Sequence, residues 1–144
     1  MQMLEAFRRF NAKPRNHLYD VTAISETAPP ELVVALVGAY RQWMRRRDEL
    51  PPNVREYRDD LRDWGASPAV NEVRGHLCRA LDEALTVRLV MVTVSSANAA
   101  KIDAEPGASM RGTATDFEPR PDMLGRVTAF DGNSFTIRFE RAAS

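Results

Sequence analysis

The sequence predicts an α+β fold, a single small domain in which one main helix packs on a mostly antiparallel sheet of about five strands. Residues 68–84 carry apolar side chains at the three- and four-residue spacing that places them on one face of a helix. Residues 87–94 are an almost unbroken run of β-branched and other apolar residues, typical of a strand covered on both faces. Residues 124–139 alternate around an Asp-Gly turn, which predicts a C-terminal β-hairpin.

Length and composition are those of an ordinary globular protein. The chain has 144 residues, of which 44% are hydrophobic and 28% are charged, and its formal net charge at pH 7 is zero. A chain of this length is expected to form one domain, residues 1–144. Because the net charge is zero, global charge predicts no polyanionic partner, and only a local cluster of basic residues would attract one.

Cysteine content and hydropathy narrow the expected location. With Cys78 as the single cysteine, the chain has no internal disulfide and no thiolate metal site, and its position next to Leu77 predicts a buried thiol. The sequence has no apolar run long enough for a signal peptide or a membrane span. We therefore expect a cytoplasmic bacterial protein with no membrane partner.

The first part of the chain, residues 1–16, predicts a short amphipathic helix followed by a polar arm. Leu4, Phe7 and Phe10 are the residues expected to face inward from this helix. Residues 18–25 then alternate between two faces, which predicts a strand.

Residues 31–37 (ELVVALV) leave two interpretations open. In the first they form a strand that makes a hairpin with the preceding strand. In the second they begin a helix over residues 31–47, led by two prolines that suit a helix start. Three valines and the nearby Gly38 favour the strand, although a continuous apolar run of this length has no decisive periodicity.

Two further segments flank the main helix. Residues 54–64 predict a short helical piece, because Tyr57, Leu61 and Trp64 recur at spacings of four and three. Gly75 lies inside the main helix, where glycine lowers helix stability by about 1 kcal/mol relative to alanine. A glycine at this position indicates that a strand backbone passes close by.

Residues 96–122 are the least hydrophobic part of the chain and contain three prolines and two glycines. This composition predicts a long irregular loop, in which only residues 113–117 indicate a strand. A loop of this length inside a compact domain is usually functional or mobile.

The clearest catalytic and metal-binding motifs are absent from the sequence. It contains no phosphate-binding loop, dinucleotide fingerprint or nucleophile elbow. His76 and Cys78 are two apart on the predicted helix, so they point to different faces and cannot share a metal. Asp60 and Asp63 could face the same way, as hydrolytic and magnesium sites require, but Arg62 is placed to neutralise them. We therefore predict no catalytic residue, no metal ligand and no cofactor.

The most distinctive polar segment is residues 40–47 (YRQWMRRR), called here the arginine-rich run. Arginines interleaved with flat aromatic rings suit a single-stranded or phosphate-rich ligand, through charge pairing and stacking. The alternative is that both aromatic rings lie in the core and the arginines are simply solvated. The candidate binding residues are Tyr40, Arg41, Trp43, Arg45, Arg46 and Arg47.

Three hypotheses of function follow from these observations. The first is a non-catalytic binding module that presents the arginine-rich run to nucleic acid or to an acidic protein. The second is a small hydrolase-like enzyme with an Asp or Glu plus Arg site under the 96–122 loop, using Arg111 or Arg120. The third is a structural protein that assembles, for example as a homo-oligomer, by pairing the edges of its terminal hairpin across subunits. The absence of catalytic motifs favours the first.

Overall fold

The computed structural model describes residues 1–14, 21–37, 39, 42–43, 49–64, 68–94 and 114–141. Its elements in chain order are α1 (Met3–Arg8), β1 (Thr22–Ile24), β2 (Leu32–Val37), β3 (Val54–Asp60), a 3-10 turn (Leu61–Trp64), α2 (Pro68–Asp82), β4 (Val87–Val94), β5 (Ala114–Phe130) and β6 (Ser134–Arg141).

The strands form one mixed sheet in the order β1-β2-β4-β5-β6-β3. Four of the five strand pairings are antiparallel, and only β2 and β4 run parallel to each other. Between these two parallel strands the chain adds β3 to the far edge of the sheet and then forms α2. The predicted α+β class in a single small domain is confirmed, with six strands rather than about five.

The first hairpin confirms the strand interpretation of residues 31–37. β1 and β2 pair antiparallel, and β2 continues into the sheet beside β4. The interpretation of residues 31–47 as one helix is wrong, because the helical positions Ala39, Gln42 and Trp43 all come after β2 has ended.

Apolar side chains cover both faces of the sheet over β2 and β4, which explains their continuous apolar sequences. On one face, α2 contributes Val70, Val73, Leu77 and Ala80 to a cluster with the strand residues Leu32, Val34, Leu36, Leu89 and Met91. On the other face, α1 and the residues after it contribute Met3, Ala6, Phe7 and Phe10 to a cluster with the strand residues Ala23, Val33, Ala35, Val90 and Val92. Each fully buried valine, leucine or phenylalanine contributes about 1.5–3 kcal/mol, so these two clusters supply the main stabilisation.

β5 joins the two halves of the sheet because it changes partner along its length. Its first part pairs with β4 and its last part pairs with β6. Leu124 and Gly125 pair with both neighbouring strands. Just before them, residues 121–123 have no partner on β4 and form a bulge, where Pro121 is tolerated because no N–H is needed for pairing with β4. The strand indicated within residues 113–117 is confirmed from Ala114 onward, and the irregular loop predicted over residues 118–122 is wrong. Residues 96–113 lie outside the described residues.

β3 replaces the helical piece predicted over residues 54–64. Only Leu61–Trp64 form a helical turn, whereas Val54–Asp60 pair with β6 along their whole length. Tyr57 is buried because it packs against Phe135 of β6, with ring centroids 6.0 Å apart. The predicted helix is wrong because the spacing that suggested it comes from a strand followed by a turn.

The predicted C-terminal hairpin of β5 and β6 is confirmed, but it lies inside the sheet. β6 is paired on one side with β5 and on the other with β3. The edges of the described sheet are instead β1 and β3. β3 occupies the edge of β6 that the third hypothesis would use for pairing across subunits, and assembly of the chain stays a prediction.

Two glycines differ in the space around them. Gly75 is exposed on α2, and no atom lies within 4 Å of the position that a Cβ would take, so the expected close strand backbone is not there. At Gly125 of β5, a Cβ would lie 2.7 Å from the ring of Phe139 and 3.2 Å from Cβ of Val87. The close approach in this fold is therefore at Gly125.

We expect Gly75→Ala to raise the free energy of unfolding by about 1 kcal/mol, since alanine loses less backbone entropy in a helix. Gly125→Ala should lower it by about 1–3 kcal/mol, because the buried ring of Phe139 has to move. Urea denaturation followed by circular dichroism measures both variants. Changes of the same sign in the two variants would contradict this difference in packing.

Candidate functional site

The described part of the arginine-rich run lies against the core. The side chain of Trp43 is buried, with the residue 8% exposed, and its ring packs edge-on against Phe139 of β6 with centroids 6.1 Å apart. Ala39, the residue immediately before the run, is completely buried. Trp43 therefore anchors the run, and its ring faces the core rather than solvent.

The remaining candidate residues of the run, Tyr40, Arg41, Arg45, Arg46 and Arg47, lie outside the described residues. Their part in binding stays a prediction. The indole Nε1 of Trp43 is buried and has no hydrogen-bond partner within the described part of the chain.

Gln42 joins the arginine-rich run to the edge of the sheet. Its Nε2 donates to the carbonyl oxygen of Arg58 at 2.8 Å, and its Oε1 accepts from the N–H of Arg58 at 3.0 Å. The side-chain amide thus takes the place that a neighbouring strand would occupy beside β3. It satisfies two main-chain groups that an edge strand would otherwise leave open to solvent or to another chain.

A second network surrounds the carboxylate of Asp59, which is half-buried. Its Oδ2 accepts from the hydroxyl of Tyr57 at 2.8 Å and from Nε1 of Trp64 at 3.0 Å. The Tyr57 hydroxyl also lies 3.5 Å from the carbonyl oxygen of Val37, at the end of β2. Burial raises the pKa of Tyr57 well above its ordinary value, and the negative charge of Asp59 raises it further. Asp59 thereby holds the end of β3, the 3-10 turn and the core together.

A hollow of about 640 Å³ opens where β3 ends beside the turn between β5 and β6. Its charged lining residues are Arg58, Asp59, Asp60, Asp63 and Asp131. We call it the acidic hollow.

Most carboxylates of the acidic hollow already bind neighbouring groups. Asp60 accepts from Nε of Arg62 at 3.0 Å, and this contact holds the pKa of Asp60 well below its ordinary value. Asp131 accepts from the N–H groups of Asn133 and Ser134, which lowers its pKa and closes the hairpin turn. Among the described residues, no group of three or more His, Cys, Asp or Glu is arranged to hold a metal ion.

His76 lies between β1 and its own helix. Its Nδ1 is 2.7 Å from Oγ1 of Thr22, and its Nε2 is 3.4 Å from Oε1 of Glu72. A hydroxyl, an imidazole and a carboxylate in this order resemble the parts of an activated nucleophile. Thr22, however, is only 3% exposed, so its hydroxyl is closed to a substrate. The contact ties edge strand β1 to α2.

The arginine proposed for an enzyme site under the 96–122 loop is also partnered. Arg120 donates to both carboxylate oxygens of Asp122 at 3.2 Å, which lowers the pKa of Asp122. Arg120 lines neither the acidic hollow nor the shallower hollow beside His76. Arg111 lies outside the described residues. An enzyme site under this loop stays a prediction.

No protein-family model, curated protein or solved structure matches this chain. The site has to be inferred from the residues themselves. Within the described ranges, no helix is long and apolar enough to cross a membrane.

Sequence reasoning missed two features of the site. The role of Gln42 depends on β3, which the sequence pattern had predicted to be a helix.

Cys78 is exposed rather than buried, because the inward face of α2 passes through its neighbour Leu77. The carboxylate of Asp82, one turn later, raises the pKa of the Cys78 thiol, and partial burial and a hydrogen bond at 3.6 Å add to the shift.

We expect Asp59→Ala to lower the free energy of unfolding by about 2–3 kcal/mol, because the buried hydroxyl of Tyr57 and the partly buried indole N–H of Trp64 lose a charged acceptor. Asp63→Ala removes the same charge from an exposed position and should change stability by less than about 0.5 kcal/mol. Urea denaturation measures both. Equal losses would mean that charge, rather than the hydrogen bonds of Asp59, is responsible.

Asp82→Asn should make Cys78 react faster with iodoacetamide near pH 8, because losing the neighbouring negative charge lowers the thiol pKa. The whole pH profile of alkylation should move to lower pH. Glu83→Gln, which removes a neighbouring carboxylate paired with Arg79, is the matched control and should shift the profile less. An unchanged profile in Asp82→Asn would show that Asp82 does not control the thiol.

Proposed function

We propose that the chain is a non-catalytic binding module whose arginine-rich run binds single-stranded nucleic acid. The observation that supports this best is the anchoring of the run at its described positions. Trp43 is buried against β6, and Gln42 binds both main-chain groups of Arg58. A basic segment fixed at its base presents its charges at lower entropic cost than a free one.

Chain length limits how far the arginines lie from this anchor. Arg45, Arg46 and Arg47 follow Trp43 by two to four residues. At roughly 3.6 Å per residue, their Cα atoms lie within about 14 Å of the Cα of Trp43. Three consecutive arginines are suited to phosphate, because a guanidinium group binds it through two parallel hydrogen bonds.

Burial of Trp43 changes the proposed mode of binding. Its ring serves as an anchor, which leaves Tyr40 as the aromatic residue of the run for stacking on a base. Affinity is then mainly electrostatic and depends strongly on salt. The acidic hollow beside Arg58 would repel phosphate, so the ligand path on this module leads away from the hollow.

The same proposal includes a cytoplasmic location, where single-stranded RNA is abundant. An acidic protein offers carboxylates to the same arginines and is the alternative partner. A chain of aspartate or glutamate lacks bases to stack, so competition by polyglutamate distinguishes the two ligands.

We expect a mixed-sequence single-stranded oligonucleotide to bind with an affinity that falls steeply as salt rises. Replacing Arg45, Arg46 and Arg47 by alanine should reduce the slope of log affinity against log salt by about 2, since each lost phosphate contact on a single strand removes about 0.7. Fluorescence anisotropy at several salt concentrations measures this slope.

The matched control removes three other exposed arginines, Arg8, Arg9 and Arg79. Arg8 and Arg9 belong to or follow α1, which packs on the face of the sheet opposite Trp43. This variant should keep most of the slope. Absence of binding by the unmodified protein at low salt would exclude nucleic acid, and equal losses in both triple variants would exclude the arginine-rich run as the site.

A further inference from the structure

We infer that Gln42 is a positioning residue for the arginine-rich run, an inference that rests on the proposed function. Gln42 lies inside the run but does not need to touch the ligand. Its two hydrogen bonds to the main chain of Arg58 fix the segment against edge strand β3. Its effect on binding comes from holding the neighbouring arginines in place.

The chemistry of this link is specific to glutamine. The amide offers a donor and an acceptor at the same end of the side chain, which matches the C=O and N–H of one residue on an open strand edge. Glutamate would keep the acceptor but lose the donor. Asparagine has both groups but is one methylene shorter, and with Trp43 fixed in the core it would not reach both atoms of Arg58.

The hydrogen bonds of Gln42 are made next to the residue that anchors the run and close in sequence to its arginines. Trp43, the next residue, is held by the core on the α2 side of the sheet, and Arg45 follows two residues later. With Gln42 and Trp43 both fixed, two consecutive residues of the run have a set position and orientation. With Trp43 alone, the run keeps its attachment to the core but loses the second of these constraints.

Positioning and direct contact differ in their salt dependence. A residue that touches phosphate contributes to the number of ions released, and its loss lowers the salt slope. A residue that only orders the binding segment changes affinity by the same factor at every salt concentration. The loss of two hydrogen bonds that order the run is expected to weaken binding roughly tenfold.

The test uses Gln42→Met, which keeps the length of the side chain and removes both hydrogen bonds, and Gln42→Asn, which keeps its polarity. Both should weaken binding of the mixed-sequence oligonucleotide roughly tenfold with an unchanged salt slope. Amide hydrogen exchange should show loss of protection at Arg58 in both variants. The matched control is Gln2→Met, at an exposed glutamine whose side chain makes no hydrogen bond at the start of α1.

The outcomes separate this inference from the function on which it rests. Unchanged affinity in both Gln42 variants, together with the expected loss in the triple arginine variant, would overturn the positioning role and leave the proposed function intact. A reduced salt slope in the Gln42 variants would also overturn it, because it would show direct contact with phosphate. Absence of binding by the unmodified protein would remove both proposals.

Discussion

The two pairings of β5 are the constraint on which the rest of the structure depends. This strand pairs with β4 up to Gly125 and with β6 from Met123 onward, so the two pairings overlap just after the bulge at residues 121–123. Without β5, the described sheet would consist of two unconnected groups of strands, β1-β2-β4 and β6-β3. The close contact between Gly125 and Phe139 lies just after the bulge, where the β5 and β6 backbones meet the buried ring.

The candidate site depends on this arrangement because it lies across both groups of strands. The arginine-rich run follows β2, in the group that contains β4, but its described residues contact β3 and β6 in the other group. Gln42, Trp43 and the Tyr57–Asp59 network all make this connection. The site is therefore held by the same contacts that join the ends of β2 and β3.

Strong local patterns made much of the fold predictable. α2, β4 and the terminal hairpin each have a clear period and clear turn residues, and the structure confirms them. β3 was missed because five of its seven residues are charged and its partner is distant in sequence. Residues 118–122 of β5 were missed because prolines are unusual inside a strand. Pro121 lies at a bulge that the sequence does not reveal, and Pro119 pairs with Val90 in a part of β5 that has no pairing with β6. The contact of Gln42 required knowledge of β3, so no local signal could have identified it.

The position of β3 has a consequence for the order in which the chain folds. Its partner β6 lies far along the chain, with Asp60 and Ser134 74 residues apart. During synthesis β3 therefore emerges long before its partner and waits without a neighbouring strand. An unpaired strand of this kind is a template for association with other chains, and charged side chains are the usual protection. The charges of VREYRDD, which made β3 difficult to recognise as a strand, are of the kind that protects an unpaired strand before β6 is synthesised.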